Sequence, residues 1–217
     1  MELAGRRTLQ SLINDDSEIL CEERRLRLIA SALKYSHDKS VVHLDLKPAN
    51  ILITADGDCK LCDFGCSQKI DNEKGLSNTE IGPYRHLAYR APELLRGEAP
   101  TKKADIFSFG ITLWEMLARK TPYSGENQHV VIFGVVAYGQ RPKHPEIECG
   151  PFEECYRDLY SQCWSANSSD RPDAKELVEL LKIWKNFFVH KMYNIIKCTL
   201  YFLCTEYTHC ILYEKYQ

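Results

Sequence analysis

Asp45, Lys47 and Asn50 lie in one short stretch, Val42-His43-Leu44-Asp45-Leu46-Lys47-Pro48-Ala49-Asn50, and Asp63 follows in Cys62-Asp63-Phe64-Gly65. Moving a γ-phosphoryl group requires a carboxylate to orient or deprotonate the attacking hydroxyl, oxygen ligands for Mg²⁺, and fixed positive charge near the transferring oxygens. Asp45 suits the first role, Asn50 with Asp63 the second, and Lys47 the third. As an exposed carboxylate, Asp45 is expected to be ionised at neutral pH, ready to accept a proton. Asn50 and Asp63 present hard oxygen donors of the kind Mg²⁺ takes in small numbers while keeping several waters. Taken singly, each piece also reads as local structure, since Asp before Lys-Pro is a common turn residue and Asp-Phe-Gly a common strand end.

The flanking elements must hold these residues a short reach apart. From Ile19 to His37, apolar residues at Leu20, Leu26, Ile29, Ala30, Ala32 and Leu33 alternate with charges, which predicts an amphipathic helix running into the Asp45 loop. Ile51-Leu52-Ile53 and Lys60-Leu61-Cys62, separated by Ala55-Asp56-Gly57-Asp58, predict a hairpin with an Asp-Gly turn. Its two outer ends carry Asn50 and Asp63, so two residues distant in sequence can share one ion. Ile106 to Met116 is apolar nearly all round and predicts a helix buried in the core. Asp105 at its start therefore needs a partner, and one reading of it is an N-cap.

The ordered set His43-x-Asp45-x-Lys47-x-x-Asn50, Asp63-Phe64-Gly65 and Ala91-Pro92-Glu93 resembles the protein-kinase signature. Four longer segments, 43–53, 59–67, 90–98 and 122–129, resemble the Mos family of germ-cell serine/threonine kinases, over about Leu9 to Leu181. Leu44, where most kinases have Arg, and the run Asp63-Phe64-Gly65-Cys66-Ser67 carry the likeness to that family. The resemblance implies a mainly α, protein-kinase-like fold: a helical C-lobe with a small catalytic-loop β-hairpin. Nothing before His43 reads as a Gly-rich loop, a Val-Ala-Ile-Lys strand or an αC glutamate, so the expectation is a chain that opens at the hinge with the N-lobe absent. Thr8 to Ile13 then match the helix after the hinge.

The same resemblance implies ATP and Mg²⁺ as cofactors, Asp45 and Lys47 as catalytic residues, and Asn50 and Asp63 as the cofactor and metal ligands. Lys47 points to serine or threonine as acceptor. The implied partner is a protein substrate, a MAP kinase kinase, in signalling upstream of MAP kinase and in meiotic control. Asp105 is implied to accept hydrogen bonds from the backbone near His43 and Leu44, and Arg171 to pair with Glu93. Residues 66–90 would form the activation segment. Leu44 cannot pair with a phosphate there, so activity is not expected to depend on phosphorylated Ser77 or Thr79 through that contact. One departure is His86, where serine/threonine kinases usually carry a threonine bridging the catalytic Asp and Lys; an imidazole there is able to hydrogen-bond Asp45.

The apolar share of 44% and charged share of 27% suit a folded domain, and a net charge of −2 gives no electrostatic case for nucleic acid or anionic membrane. Ten cysteines without a secretory signal fit a reducing cytoplasm. Cys59, Cys62 and Cys66 cluster but lack a second zinc-like pair, so strand packing accounts for them. Asp173 to Leu181 reads as the last helix of the domain, giving domains at 1–184 and an aromatic and Cys-rich tail at 185–217. A membrane span at Ile195 to Tyr213 is disfavoured by Lys197, Glu206 and His209. Two functional readings follow. One is a serine/threonine kinase, with little activity expected of this chain alone. The other is an inactive C-lobe that binds substrates or regulators.

Overall fold

Thr8 and Ser11 cap one helix reciprocally: the Ser11 N–H donates to Thr8 Oγ1 at 3.2 Å and the Thr8 N–H to Ser11 Oγ at 3.1 Å. This satisfies two of the amides that a helix start leaves without partners. The computed structural model describes residues 7–17, 23–70, 86–146 and 151–184. The chain divides into two units, residues 1–178 and 179–217. The tail reading at 185–217 lies outside the described residues. The described part of the second unit, residues 179–184, is helical.

The first unit is mainly helical, as the family resemblance implies. Helix α1 (Leu9–Ile13) buries Leu9, Leu12 and Ile13. Helix α2 (Glu23–Asp38) buries Leu26, Ile29, Ala30 and Leu33, the i, i+3, i+4, i+7 stripe read from the sequence. The predicted start at Ile19 lies outside the described residues. The short helix α3 (Pro92–Leu95) follows the Ala91 turn, with Pro92 as its first residue.

Helix α4 (Lys102–Ala118) is the axle of the unit, with every residue from Ala104 to Met116 buried. It packs on α6 (Pro151–Cys163), which buries Tyr156, Leu159, Tyr160 and Cys163. Gly110 makes the close crossing possible. A Cβ there would stand 2.8 Å from Cys163 Cβ, 3.0 Å from the Tyr160 carbonyl and 3.1 Å from the Trp164 amide. Helix α5 (Gln128–Tyr138) buries Val131, Gly134 and Val135 and ends on Gly139 at φ 63°, the left-handed conformation that favours glycine at a helix end.

Two small sheets brace the loop between α2 and α4. Strands β1 (Arg7–Thr8), β3 (Ile51–Ile53) and β4 (Cys59–Leu61) form one antiparallel sheet in the order β1-β3-β4. Strands β2 (Val41–Val42) and β5 (Gln68–Lys69) form the other. The predicted hairpin is β3–β4, with Ile51 opposite Leu61 and Ile53 opposite Cys59. Its turn closes through Gly57 at φ 79°, whose N–H donates to the Thr54 carbonyl. The second strand ends one residue before the predicted Cys62, whose N–H instead donates to the Asn50 carbonyl at 2.9 Å. The pairings of β1 with β3 and β2 with β5 were not expected, because two-residue strands show no periodicity.

Candidate active site

The loop after β2 turns sharply at Leu44, whose φ of 64° is left-handed, a strained conformation for a residue with a side chain. Buried Asp105, on the first turn of α4, holds it there. Asp105 Oδ1 accepts the Leu44 N–H at 2.8 Å, and Oδ2 accepts the His43 N–H at 2.8 Å. This bears out the loop-anchoring role and corrects the N-cap reading. The N-cap of α4 is Thr101, and the Asp105 oxygens point away from their own helix start, to the loop. A third bond was missed from sequence: His37 Nε2, at the end of α2, donates to Asp105 Oδ2 at 2.8 Å. Three donors from two elements thus converge on one carboxylate, which justifies burying its charge.

His43 is also fully buried. Its Nδ1 accepts the Asp45 N–H at 3.3 Å, so the proton resides on Nε2, which donates to the Cys62 carbonyl at 3.0 Å. The ring also meets Phe64 edge-on, at 4.7 Å between centroids. His43 therefore ties the Asp45 loop to the segment carrying Asp63.

Asp45, Lys47 and Asn50 come together in direct contact. Lys47 Nζ lies 2.6 Å from Asp45 Oδ2, and Asn50 Nδ2 donates to the same oxygen at 2.9 Å and to the Asp45 carbonyl at 2.8 Å. The expectation of an exposed Asp45 is corrected, since its side chain is 17% exposed and that of Lys47 9%. The carboxylate is held by two donors on one oxygen. Pro48–Asn50 form one 3-10 turn, which folds Asn50 back over Asp45.

Asp63 stands apart from that trio. It is exposed, with φ 60° and ψ 70°, and accepts the Gly65 N–H at 3.3 Å. Its link to them runs through the Cys62 N–H on the Asn50 carbonyl. The donor set suits a hard cation. Asn50 spends its side-chain nitrogen on Asp45, which leaves its Oδ1 for a metal, and Asp63 offers an exposed carboxylate. Among the described residues no group of three or more His, Cys, Asp and Glu side chains is arranged for a metal. The Cys62 thiol donates to the Asn50 carbonyl at 3.2 Å, and burial together with neighbouring Asp63 pushes its pKa up, so it is a packing group rather than a thiolate ligand.

On the other side of Asp45, a cavity of about 10 Å³ is lined by Leu44, Asp45, His86, Tyr89, Arg90 and Ser108 among others. His86 has a left-handed φ of 57° and starts the 3-10 turn Leu87–Tyr89. Ser77 and Thr79 lie outside the described residues. Two anchors fix this wall. Ser108 Oγ donates to the Tyr89 carbonyl at 2.8 Å, and the Tyr89 hydroxyl donates to buried Glu115 at 2.5 Å. Gln10 Nε2 donates to the other Glu115 oxygen at 3.1 Å. Burial raises the Glu115 pKa, and burial with the nearby Glu115 charge raises that of Tyr89. No sequence pattern marked this Gln10–Glu115–Tyr89 network.

Farther along, Arg171 and Glu93 form the expected pair, with Nη1 to Oε1 at 2.6 Å and Nη2 to Oε2 at 2.9 Å. Arg171 is 1% exposed, and its Nη1 and Nε also donate to the Lys103 and Ser165 carbonyls. A planar fork facing a carboxylate fixes the direction of α3 and of the Ala91 turn before it.

The family model described as protein kinase domain matches residues 1–181. The chain is similar to the serine/threonine-protein kinase mos of Patiria pectinifera, 46% identical over 84% of the chain and 52% of that relative. It is also similar to that of Xenopus laevis, 42% identical over 84% of the chain and 53% of the relative, and to that of Gallus gallus, 46% identical over 72% and 45%. The chain spans about half the length of the curated relatives it matches.

Proposed function

The chain belongs to the protein kinase family, and from that premise we propose that it carries the catalytic loop of a serine/threonine kinase that moves the ATP γ-phosphoryl group to a protein hydroxyl. The observation that carries this reading is the Asp45 carboxylate, held by Lys47 and Asn50 on one oxygen. That leaves Oδ1 to face an acceptor hydroxyl. Asp45 orients the hydroxyl and takes its proton as the new P–O bond forms, and the leaving ADP oxygen retains the electrons of the broken bond. Lys47, ion-paired with Asp45, would also offset charge on the transferring oxygens. Asn50 Oδ1 and the Asp63 carboxylate would hold Mg²⁺, which when bound would neutralise phosphate charge.

The protein-substrate class follows from the family, and the finer identity is proposed from the likeness to mos kinases: a MAP kinase kinase, in the cytoplasm, in signalling linked to meiosis. Residues 1–184 are assigned to the kinase domain, here its C-lobe, and 185–217 to a separate tail. The alternative, a binding module without transfer, does not explain why Asp45, Lys47, Asn50 and Asp63 all remain in place. The test is incubation of the protein carrying this chain, in its native flanking sequence, with MgATP and a MAP kinase kinase, followed by phosphoamino-acid analysis. Phosphoserine or phosphothreonine supports the reading, and phosphotyrosine alone or no incorporation contradicts it.

A further inference from the structure

A second cavity, of about 220 Å³, lies away from Asp45, between the end of α2, the first turn of α4 and residues 173–175. Four lysines line it: Lys34, Lys102, Lys103 and Lys175. Two carboxylates, Asp38 and Asp173, also line it. Asp38 takes the Lys34 ammonium at 2.6 Å, and Asp173 Oδ1 accepts the Glu176 N–H at 2.8 Å. Lys103 donates to the Arg171 carbonyl. Lys102 and Lys175 are exposed and make no hydrogen bond or ion pair among the described residues. The apolar part of the lining is supplied by buried Ile106 and Ala174.

The placement of Lys102 and Lys103 is itself unfavourable. They are the first two residues of α4, where the helix dipole disfavours cations, and Thr101 makes no side-chain cap there. An anion would reverse that penalty, as it does at other helix starts. With Lys34 paired to Asp38, the formal charges of Lys102, Lys103 and Lys175 against that of Asp173 leave the lining at +2, which matches a charge of −2, and the buried apolar lining matches a small organic body. We propose that this cavity binds a phosphate monoester with a short apolar body, either a soluble metabolite or a phosphorylated side chain of a protein. One wall includes His37, whose Nε2 bonds Asp105, which in turn holds the His43 and Leu44 amides. Occupancy is thereby linked to the loop that carries Asp45.

The site is tested without any phosphoryl transfer, so its fate is separate from that of the kinase reading. The 217-residue chain is titrated calorimetrically with phenyl phosphate, with phenol and inorganic phosphate as controls. Phenyl phosphate is expected to bind at least about tenfold more tightly than either control, and the exposed double change Lys102→Ala with Lys175→Ala to weaken it by about tenfold. A phosphotyrosine peptide that binds more tightly than phenyl phosphate assigns the ligand to a protein side chain; one that binds no better assigns it to a soluble monoester. Exchange of the His43 and Leu44 amides is expected to slow on binding. Absence of saturable binding, or binding unchanged by the double substitution, overturns the site, and unchanged amide exchange overturns its link to the loop.

Discussion

Asp105 Oδ1 accepts the Leu44 N–H at 2.8 Å, and Leu44 has a left-handed φ of 64°. A backbone strained by about 1–3 kcal/mol is thus held by a carboxylate fixed in the most buried helix of the unit. The strained residue directly precedes Asp45, so the rigidity of α4 is transmitted to the reacting carboxylate.

Replacing Asp105 with Asn tests that transmission. An amide has one acceptor oxygen, and its NH₂ would face the donors of His37, His43 or Leu44. The expected cost is about 2–4 kcal/mol in urea unfolding, with a fall in phosphoryl transfer of at least about tenfold at full saturation. Stability and turnover both within error of wild type would contradict the anchoring role.

Gly110→Ala should destabilise by about 1–3 kcal/mol although alanine is the better helix former. The added Cβ meets the Tyr160 carbonyl and the Trp164 amide, backbone atoms that cannot rotate away. A thermal midpoint equal to or above that of wild type would show that α4 and α6 separate at little cost.

Glu115 gives a pH signature. Burial raises its folded-state pKa above the ordinary 4.5. The unfolded chain therefore releases this proton at lower pH than the folded one. Stability from this group is fully present below the unfolded value and is lost as pH rises through the folded one. Glu115→Gln retains an acceptor for Gln10 and a partner for the Tyr89 hydroxyl, so the variant is expected to show a flatter stability profile above pH 4.5 and greater stability at neutral pH. Denaturant midpoints measured across that range decide it, and parallel profiles for the two proteins would contradict it.

Much of this was legible in the sequence because the elements involved are long or chemically marked. The stripe in α2, the all-apolar run in α4 and the Asp-Gly turn between β3 and β4 each follow from side-chain spacing. Asp45, Lys47 and Asn50 were legible as a group because one loop carries them. What escaped is long-range: His37 and Asp105 are joined across 68 positions, and Gln10 and Glu115 across 105. Neither pair leaves a local pattern. The partial covering of Asp45 escaped for the same reason, since a loop aspartate reads as solvated until its neighbours fold over it.

Leu44 also bears on regulation. An apolar side chain at that position cannot pair with a phosphate, so Ser77→Ala and Thr79→Ala are expected to retain phosphoryl transfer within about threefold of the parent protein. Loss of nearly all activity in either variant would show that another cation receives the phosphate.

The most direct measurement is the turnover of Asp45→Asn in the protein carrying this chain, with MgATP and a protein acceptor. Asparagine preserves size and can still meet Lys47 or Asn50, but it cannot take up the acceptor proton. The account predicts a fall in kcat of about 10²–10⁴-fold with the KM for ATP changed only a few-fold. An unchanged kcat, or a loss explained entirely by a raised KM, would contradict the assignment of Asp45 as the carboxylate at the reacting hydroxyl.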